Sequence, residues 1–534
     1  METLMLLGDE ALAQGALDAG ISGFYAYPGT PSTEIVEYAQ MSKQAKENKV
    51  HTLWSSNEKT AMESAIGMSY AGKRAMVTMK HVGLNVSADP FMNSAFTGAN
   101  GGLIVTVADD PSMHSSQNEQ DSRFYGKFAM IPILEPSNQQ ECYDMAFWGF
   151  ELSEKYNIPV LLRLTTRLSH SRSGVKRRNP LPQNSLNKPD DLFQFMLLPA
   201  IARKKYKHLI GLQEKFVEES VNSPYNIFDL DAKDTSLGII ATGLAYNYLK
   251  EVYGNQPIPH PVIKIGQYPL PREQITQLYD MCDSILVLEE GMPLVEELII
   301  GLKHKGAKPV KGRLDGTIDR DGELNPNKVA RALGMKDTFG KAMPEVVAPR
   351  PPALCMGPHT DSFKALTEAM EPYGRGHVFG DIGCYTLGFM PPHNAINACV
   401  DMGASITMAK GAADAGLFPS IAVIGDSTFN HSGMTGLADC VYENTNIVIV
   451  ILDNRTTGMT GGQDYTVFGK LEEICKGLGV HPDHIRTFVP LPKNYDEMVK
   501  IYKEEIAYEG VSVIIPVREC IQTLKKKNKK EAAK

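Results

Sequence analysis

Two apolar runs in the last quarter of the chain, residues 421–424 and 447–452, each end in an acidic turn, Gly425-Asp426 after the first and Asp453-Asn454 after the second. Short Ile- and Val-rich runs bounded by such turns fit strands buried on both faces of a parallel sheet. The small-residue segment between them, about residues 434–442, is predicted as one helix. A right-handed strand-helix-strand crossover then returns the second strand end to the same edge of the sheet, where ligands of open α/β folds bind. Asp426 and Asn454, 454 − 426 = 28 residues apart, thus become two hard oxygen donors on one side. Such a pair suits Mg2+, which takes one or two protein carboxylates together with phosphate oxygens and water. Gly425 and Ser427 allow close approach of the backbone and offer N–H donors to a diphosphate. The plainer reading is that Asp426 caps a helix and Asn454 tolerates a left-handed turn. The placement of both residues at strand ends favours the metal pair.

The rest of the chain repeats the same unit. Strands are predicted over residues 23–27, 51–55, 75–79, 102–108 and 159–163, with helices between them, including an Ala-rich one over 58–71. The turn after the first reads PGTPST, in which Ser32 or Thr33 can cap the helix starting near Glu34. The expected organisation is α/β with three doubly wound domains, over 1–175, 233–312 and 351–520. They are joined by a linker with helices over 176–232 and a second linker over 313–350, and are followed by a basic disordered tail over 521–534.

Composition narrows the class. Hydrophobic residues make up 43% of 534, enough for large cores, and no run approaches the roughly 18 apolar residues of a membrane span. The first residues carry Glu2, Asp9 and Glu10 without a basic region, so no signal peptide is read. A net charge of −8 argues against a nucleic-acid partner. The lysines at 525–527 and 529–530 run against that balance, and they read as a solubilising end. The eight cysteines form no Cys-x-x-Cys, which fits a reducing cytoplasm. Neither HExxH nor a P-loop is present.

The 425–456 segment resembles the thiamine diphosphate motif. Across most of the chain, YPGTPSTEI, SSNEKTAMESAIG, TMKHVGLNVSADP, IATGLAY, LVLEEG, GDIGCYTLG, GDSTFNHSG and LDNRTTGMTGGQ resemble the large subunit of indolepyruvate ferredoxin oxidoreductase. The resemblance implies a pyrimidine-binding domain, a smaller transketolase C-terminal-like domain and a diphosphate-binding domain. It also implies that Asp426, Asn454 and the backbone carbonyl of Thr456 hold Mg2+. Gly383, Cys384, Gly403, Ser405, Gly425, Asp426, Ser427 and Asn454 would contact the cofactor. Ser427 stands where the motif usually has Gly, and Arg455 where a second Asn is common. Neither position needs to ligate through its side chain.

The chemistry needs one carboxylic acid in a dry pocket at the aminopyrimidine of the cofactor, with a pKa raised by burial. Glu58 matches the family at SSNEKTA. By itself it would pass for an acid favoured at a helix N-terminus, and its rival Glu63 does not match. Thr30, Lys80 and His81 lie at strand ends and are the candidates for substrate contact, with His431 a further candidate. Lys80 as a surface charge and His431 as a satisfied turn histidine are the alternatives.

The family implies oxidative decarboxylation of an aromatic 2-oxo acid to an acyl-coenzyme A. Electrons would pass to ferredoxin through a small (beta) subunit and a cluster-bearing partner of a hetero-oligomer. Large subunits usually end in a ferredoxin-like domain with two cysteine-rich motifs, and here the sequence stops after Cys520 and the lysines. In LCMGPHTD, Cys355 remains of a common Cys-x-x-Cys. Cys355, Cys384 and Cys520 cannot supply the four ligands of a [4Fe–4S] cluster, so no cluster is expected in this chain, and these thiols read as apolar packing. The alternative function is a non-redox thiamine diphosphate-dependent 2-oxo acid decarboxylase or lyase.

Overall fold

In the computed structural model, each predicted sheet buries both faces, and the side-chain alternation shows why. Along Ala75–Lys80, Ala75, Val77 and Met79 point into one core and Met76 into another. Along Leu103–Asp109, Leu103, Val105 and Val107 join the first core and Ile104 and Ala108 the second. A strand with both faces covered must be apolar at every position, so these segments read as runs and not as alternations. The structure describes residues 2–189, 191, 193–302, 306–337, 340, 358–521, 523–525 and 528. Cys355 and parts of the expected second linker, third domain and basic tail lie outside them.

The chain forms two compact units, Met1–Ala342 and Met343–Lys534. The first holds two large sheets. In the six-stranded sheet the order is Gln267–Tyr268, Ile133–Leu134, Val160–Thr165, Leu103–Asp109, Ala75–Lys80 and Gly23–Ala26. All its pairings are parallel except that of Gln267–Tyr268. The five-stranded sheet runs Val310–Lys311, Ile285–Leu288, Gly238–Thr242, Val262–Ile265 and Ile227–Asp229, the last antiparallel. The strands Thr3–Leu7 and Arg172–Lys176 form a separate antiparallel pair. The second unit has one all-parallel sheet, ordered Val378–Gly380, Ile421–Gly425, Ile447–Leu452, Val511–Pro516 and Ile485–Phe488.

The strand expected over 51–55 does not form. His51 and Trp54 make only isolated parallel bridges to Gly23 and Ala26. Leu53 is 68% exposed, so no second face is available there to bury a strand. The stretch expected as the first linker contains the helix Pro199–Val221 and the strand Ile227–Asp229, which extends the five-stranded sheet. Among the described residues, no helix is long and apolar enough to cross a membrane.

Two fully buried arginines sit among carboxylates in the first unit. Arg123 lies 2.5 Å from Asp121 and 3.0 Å from Glu289. Arg163 lies 2.6 Å from both Asp109 and Glu135. Tyr268, on the strand that crosses from the second sheet's segment of chain, donates to Glu135 at 2.7 Å. Each buried carboxylate is tolerable because a guanidinium faces it. Removing one partner strands the others without water. Arg123→Met is therefore expected to destabilise the unit by about 3–5 kcal/mol, read from urea or guanidinium unfolding of the full chain. A loss within about 0.5 kcal/mol, the usual scale for a surface substitution, would show that the pairs contribute nothing net.

Candidate active site

In the first unit, the residues singled out from the sequence gather at the carboxyl edge of the six-stranded sheet. Glu58 is the first residue of helix Glu58–Tyr70 and is 5% exposed. Asn57 caps that helix, accepting the Thr60 N–H at 2.8 Å, while Thr60 Oγ1 accepts the Asn57 N–H at 3.2 Å. This reciprocal cap fixes the direction of Glu58. Its carboxylate packs on Gly83: a Cβ at residue 83 would stand 2.6 Å from Glu58 Oε1 and 2.7 Å from Cγ. The glycine in the HVGLNV helix is thus the floor of the acid's pocket.

Lys80 ends the strand Ala75–Lys80, and its stem passes over Gly29, in the same turn as Thr30. Burial lowers the Lys80 ammonium below its usual range, opposed by the charges of Asp110 and Glu58. Its Nζ donates to the Ser115 carbonyl at 3.3 Å, and Ser115 Oγ donates to the Thr30 carbonyl at 3.3 Å. Asp110 holds this loop, accepting from Ser115 N at 2.8 Å, Ser116 Oγ at 2.7 Å and Thr166 Oγ1 at 2.6 Å. His81 is 1% exposed. Its Nδ1 accepts the Asp110 N–H at 3.3 Å, which leaves the proton on Nε2 facing the Asn118 carbonyl at 3.1 Å. Both ring nitrogens are therefore given to the 110–118 loop, so His81 braces that loop.

In the second unit, the strands Ile421–Gly425 and Ile447–Leu452 are parallel neighbours with Gly425 opposite Leu452. Asp426 and Asp453-Asn454 therefore leave the sheet side by side, as the spacing predicts. The helix between them begins earlier than expected. The turn Asp426–Thr428 runs through a π-helical turn, Phe429–Gly433, into Met434–Glu443. Such wide turns recur at functional sites because they re-aim a few side chains within a helix.

Asp426 is 1% exposed. Its Oδ1 accepts the Ser427 N–H at 2.8 Å, and its Oδ2 is buried without a hydrogen-bond partner. The Ser427 N–H is thus turned onto its neighbour's carboxylate. Burial, and then the charge of Asp453, push the Asp426 carboxyl well above its usual range. Asp453 Oδ1 accepts the Arg455 N–H at 2.9 Å and the Tyr465 hydroxyl at 3.4 Å. Asn454 Oδ1 accepts the Thr456 N–H at 3.1 Å, which leaves it a second lone pair. A bare carboxylate oxygen beside a second carboxylate and an amide oxygen is a donor set that a divalent cation would satisfy.

The remaining candidates form the wall of this edge. Gly383 and Gly425 lie on the Tyr385 ring, and a Cβ at either would stand 2.2 or 2.7 Å from its Cε1. Cys384 starts the short helical turn Cys384–Phe389 and is half-buried. Gly403 has φ +91°, and a Cβ there would meet Ser432 Oγ at 2.6 Å. Ser405 Oγ donates to Asp381 at 2.7 Å, and the Tyr385 hydroxyl donates to the other oxygen of Asp381. His431, 3% exposed in the π-helical turn, has Nδ1 2.6 Å from Ser432 Oγ, which donates to the Met402 carbonyl at 2.8 Å.

Residues 14–193 match the family model described as pyruvate flavodoxin/ferredoxin oxidoreductase, thiamine diphosphate-binding. Residues 381–515 match the thiamine pyrophosphate enzyme C-terminal binding domain. Indolepyruvate oxidoreductase subunit IorA of Archaeoglobus fulgidus is 40% identical over 97% of this chain and 86% of its own length, as is that of Pyrococcus abyssi. The chain belongs to the indolepyruvate oxidoreductase IorA family. This places it in the 2-oxoacid:ferredoxin oxidoreductase superfamily, among enzymes that bind thiamine diphosphate. A solved 2-oxoglutarate:ferredoxin oxidoreductase from Magnetococcus marinus shares the fold at TM-score 0.50 and 16% identity, over 62% of this chain and 65% of that one.

Each of the two sheet edges carries further buried or loop-holding acids beyond those expected from the sequence. In the second unit, Asp453, next to Asn454 in the Asp-Asn doublet, is one of them, and its charge acts on Asp426. Asp110 and Asp381 also follow apolar strands, and each ties a loop to the sheet edge. Burial pushes the Asp381 carboxyl up to about 8. An acid whose folded pKa lies above its unfolded value of about 3.9 binds more protons when folded. Its stabilisation is then complete below about pH 4 and lost progressively as pH rises to about 8. Asp381→Asn stays neutral throughout. The unfolding midpoint of the wild-type chain is expected to fall relative to this variant between about pH 5 and 8. Parallel profiles for the two chains would rule out the burial-raised acid.

Proposed function

We propose that this chain is the catalytic subunit of an enzyme that oxidatively decarboxylates an aromatic 2-oxo acid of the indolepyruvate type. The 2-oxo acid and coenzyme A thiol give an acyl-coenzyme A and carbon dioxide, releasing one proton and two electrons. A small (beta) subunit and a cluster-bearing partner carry the electrons to ferredoxin, within a cytoplasmic hetero-oligomer. The observation that carries this reading is the buried, unpartnered Oδ2 of Asp426 beside Asp453 and Asn454, in a chain of this family.

Asp426, Asn454 and the Thr456 carbonyl would hold Mg2+, whose charge would offset the Asp426–Asp453 pair and favour a diphosphate there. When bound, thiamine diphosphate supplies the nucleophilic carbon and the electron sink that decarboxylation requires. Glu58, capped at its helix N-terminus and seated on Gly83, holds or releases a proton at its carboxyl oxygen in a site screened from water. Lys80 offers a donor at the sheet edge to the carboxylate of the 2-oxo acid, with Thr30 beside it, and His81 keeps the facing loop in place. His431 lines the diphosphate side.

Asp426→Ala and Asn454→Ala are expected to abolish Mg2+-supported binding of thiamine diphosphate, followed by titration calorimetry, while far-ultraviolet dichroism stays that of the wild type. Unchanged affinity in both variants would remove the metal assignment.

Glu58→Gln is expected to retain cofactor binding and to lose turnover by about two to three orders of magnitude, the usual scale for a missing acid–base group. The assay is reduction of a viologen dye, dependent on 2-oxo acid and coenzyme A, by the complex reconstituted with its partner subunits. Wild-type turnover in this variant would move the acid's role elsewhere.

A further inference from the structure

Three helices in the first unit converge on a second, separate group of metal-ligand side chains. Asp9 lies in the first turn of helix Gly8–Asp18, and Glu34 in the first turn of helix Thr33–Met41. His170 is the last residue of helix Thr166–His170. One donor atom from each lies within 4.8 Å of the other two. Asp9 is fully buried, and neither of its carboxylate oxygens has a hydrogen-bond partner; Glu34 Oε2 is also buried and unpartnered. The neighbouring Ser169 hydroxyl lies toward Asp9 but makes no hydrogen bond of proper geometry to it. Among the described residues, no Lys or Arg pairs with either acid. The side chain that faces them is His170, whose Nε2 is 3.5 Å from Glu34 Oε1. Glu10, next in sequence, is already committed to the Leu7 N–H and Arg172.

We infer that Asp9, Glu34 and His170 bind a divalent transition-metal ion of the Zn2+ or Mn2+ class, at a site distinct from the cofactor edge. Two carboxylates and one imidazole are a donor set for these ions, whereas Mg2+ and Ca2+ are taken by oxygen alone. In a four-coordinate tetrahedral site, metal–ligand distances of about 2.0–2.2 Å set the donors about 3.3–3.6 Å apart. The three donors, all within 4.8 Å of one another, therefore close by up to about 1.5 Å, through rotation of the Glu34 and His170 side chains. The backbones are already locked together, since a Cβ at Gly8 would stand 2.3 Å from the Leu168 carbonyl oxygen. His170 is half-exposed at the outer side, which gives the ion an entry path and a water for a fourth position. The ion would fasten the start of helix Thr33–Met41, immediately after the Thr30 turn, to the two neighbouring helices. It would also remove the cost of an uncompensated buried carboxylate at Asp9.

The test is equilibrium dialysis of the full chain, stripped with a chelator, against ZnCl2 and separately MnCl2. Metal analysis and a thermal melt follow. The wild type is expected to retain about one more metal ion per chain than Asp9→Asn or His170→Gln, and to gain melting temperature on metal addition that both variants lack. His170→Gln changes only the half-exposed ligand and keeps the fold, so it remains informative if Asp9→Asn does not fold. Equal metal content and equal thermal shifts in wild type and His170→Gln would overturn the site. Asp9 would then be a buried acid carrying its own proton, and any metal retained would sit on the thiols or the Asp426 edge.

Discussion

Moving a carboxylate out of water costs several kcal/mol unless something replaces the water, and this chain buries carboxylates at every place that matters. The ways it compensates them distinguish scaffold from site. Between the sheets of the first unit, Arg123 and Arg163 answer Asp109, Asp121, Glu135 and Glu289 inside the protein. At Asp381 the compensation is partial, from the hydroxyls of Ser405 and Tyr385. At Asp426 one buried oxygen is left without a hydrogen bond of proper geometry, with Asp453 and the Tyr465 hydroxyl nearby. A group left in that state within a matched family fold marks where the protein depends on something outside its own chain. Asp9 is in the same state and is met by two further metal-ligand side chains instead of an arginine.

The glycines follow from the same requirement. A buried acid needs space shaped to it, and a methyl group is enough to spoil that space. Gly83 leaves room for the Glu58 carboxylate, and Gly383 and Gly425 leave room for the Tyr385 ring whose hydroxyl serves Asp381. None of the three needs a left-handed backbone. Their use is close approach, whereas Gly403, at φ +91°, needs both close approach and a left-handed conformation.

What the sequence made legible is what repeats or what ends a strand. The runs at 421–424 and 447–452 announced two buried strands and the side-by-side exit of the Asp and Asn after them, because a parallel crossover leaves little choice about where strand ends go. Glu58 is singled out only through the family motif, since an acid at a helix start is common in any protein. The segment at 51–55 has the composition of a strand, but Leu53 faces outward and only His51 and Trp54 touch the sheet. Ile133–Leu134 and Gln267–Tyr268 are too short to carry any periodicity. The assignment of His81 as a ligand-facing residue could not foresee that a loop some thirty residues on would occupy both its nitrogens. Partners drawn from distant segments, such as Asp9, Glu34 and His170, have no spacing to read.

Gln267–Tyr268 sits in the six-stranded sheet although the chain on either side belongs to the five-stranded one. Its neighbourhood is knotted by amides: Glu135 N–H donates to the Gly266 carbonyl at 2.8 Å, and the Gly266 and Gln267 N–H groups donate to Asn226 Oδ1 at 2.7 and 2.9 Å. Neither sheet can open locally at this seam without breaking hydrogen bonds of the other. Their amides should accordingly exchange with solvent deuterium through one shared opening, so that the two sheets of the first unit behave as a single cooperative block.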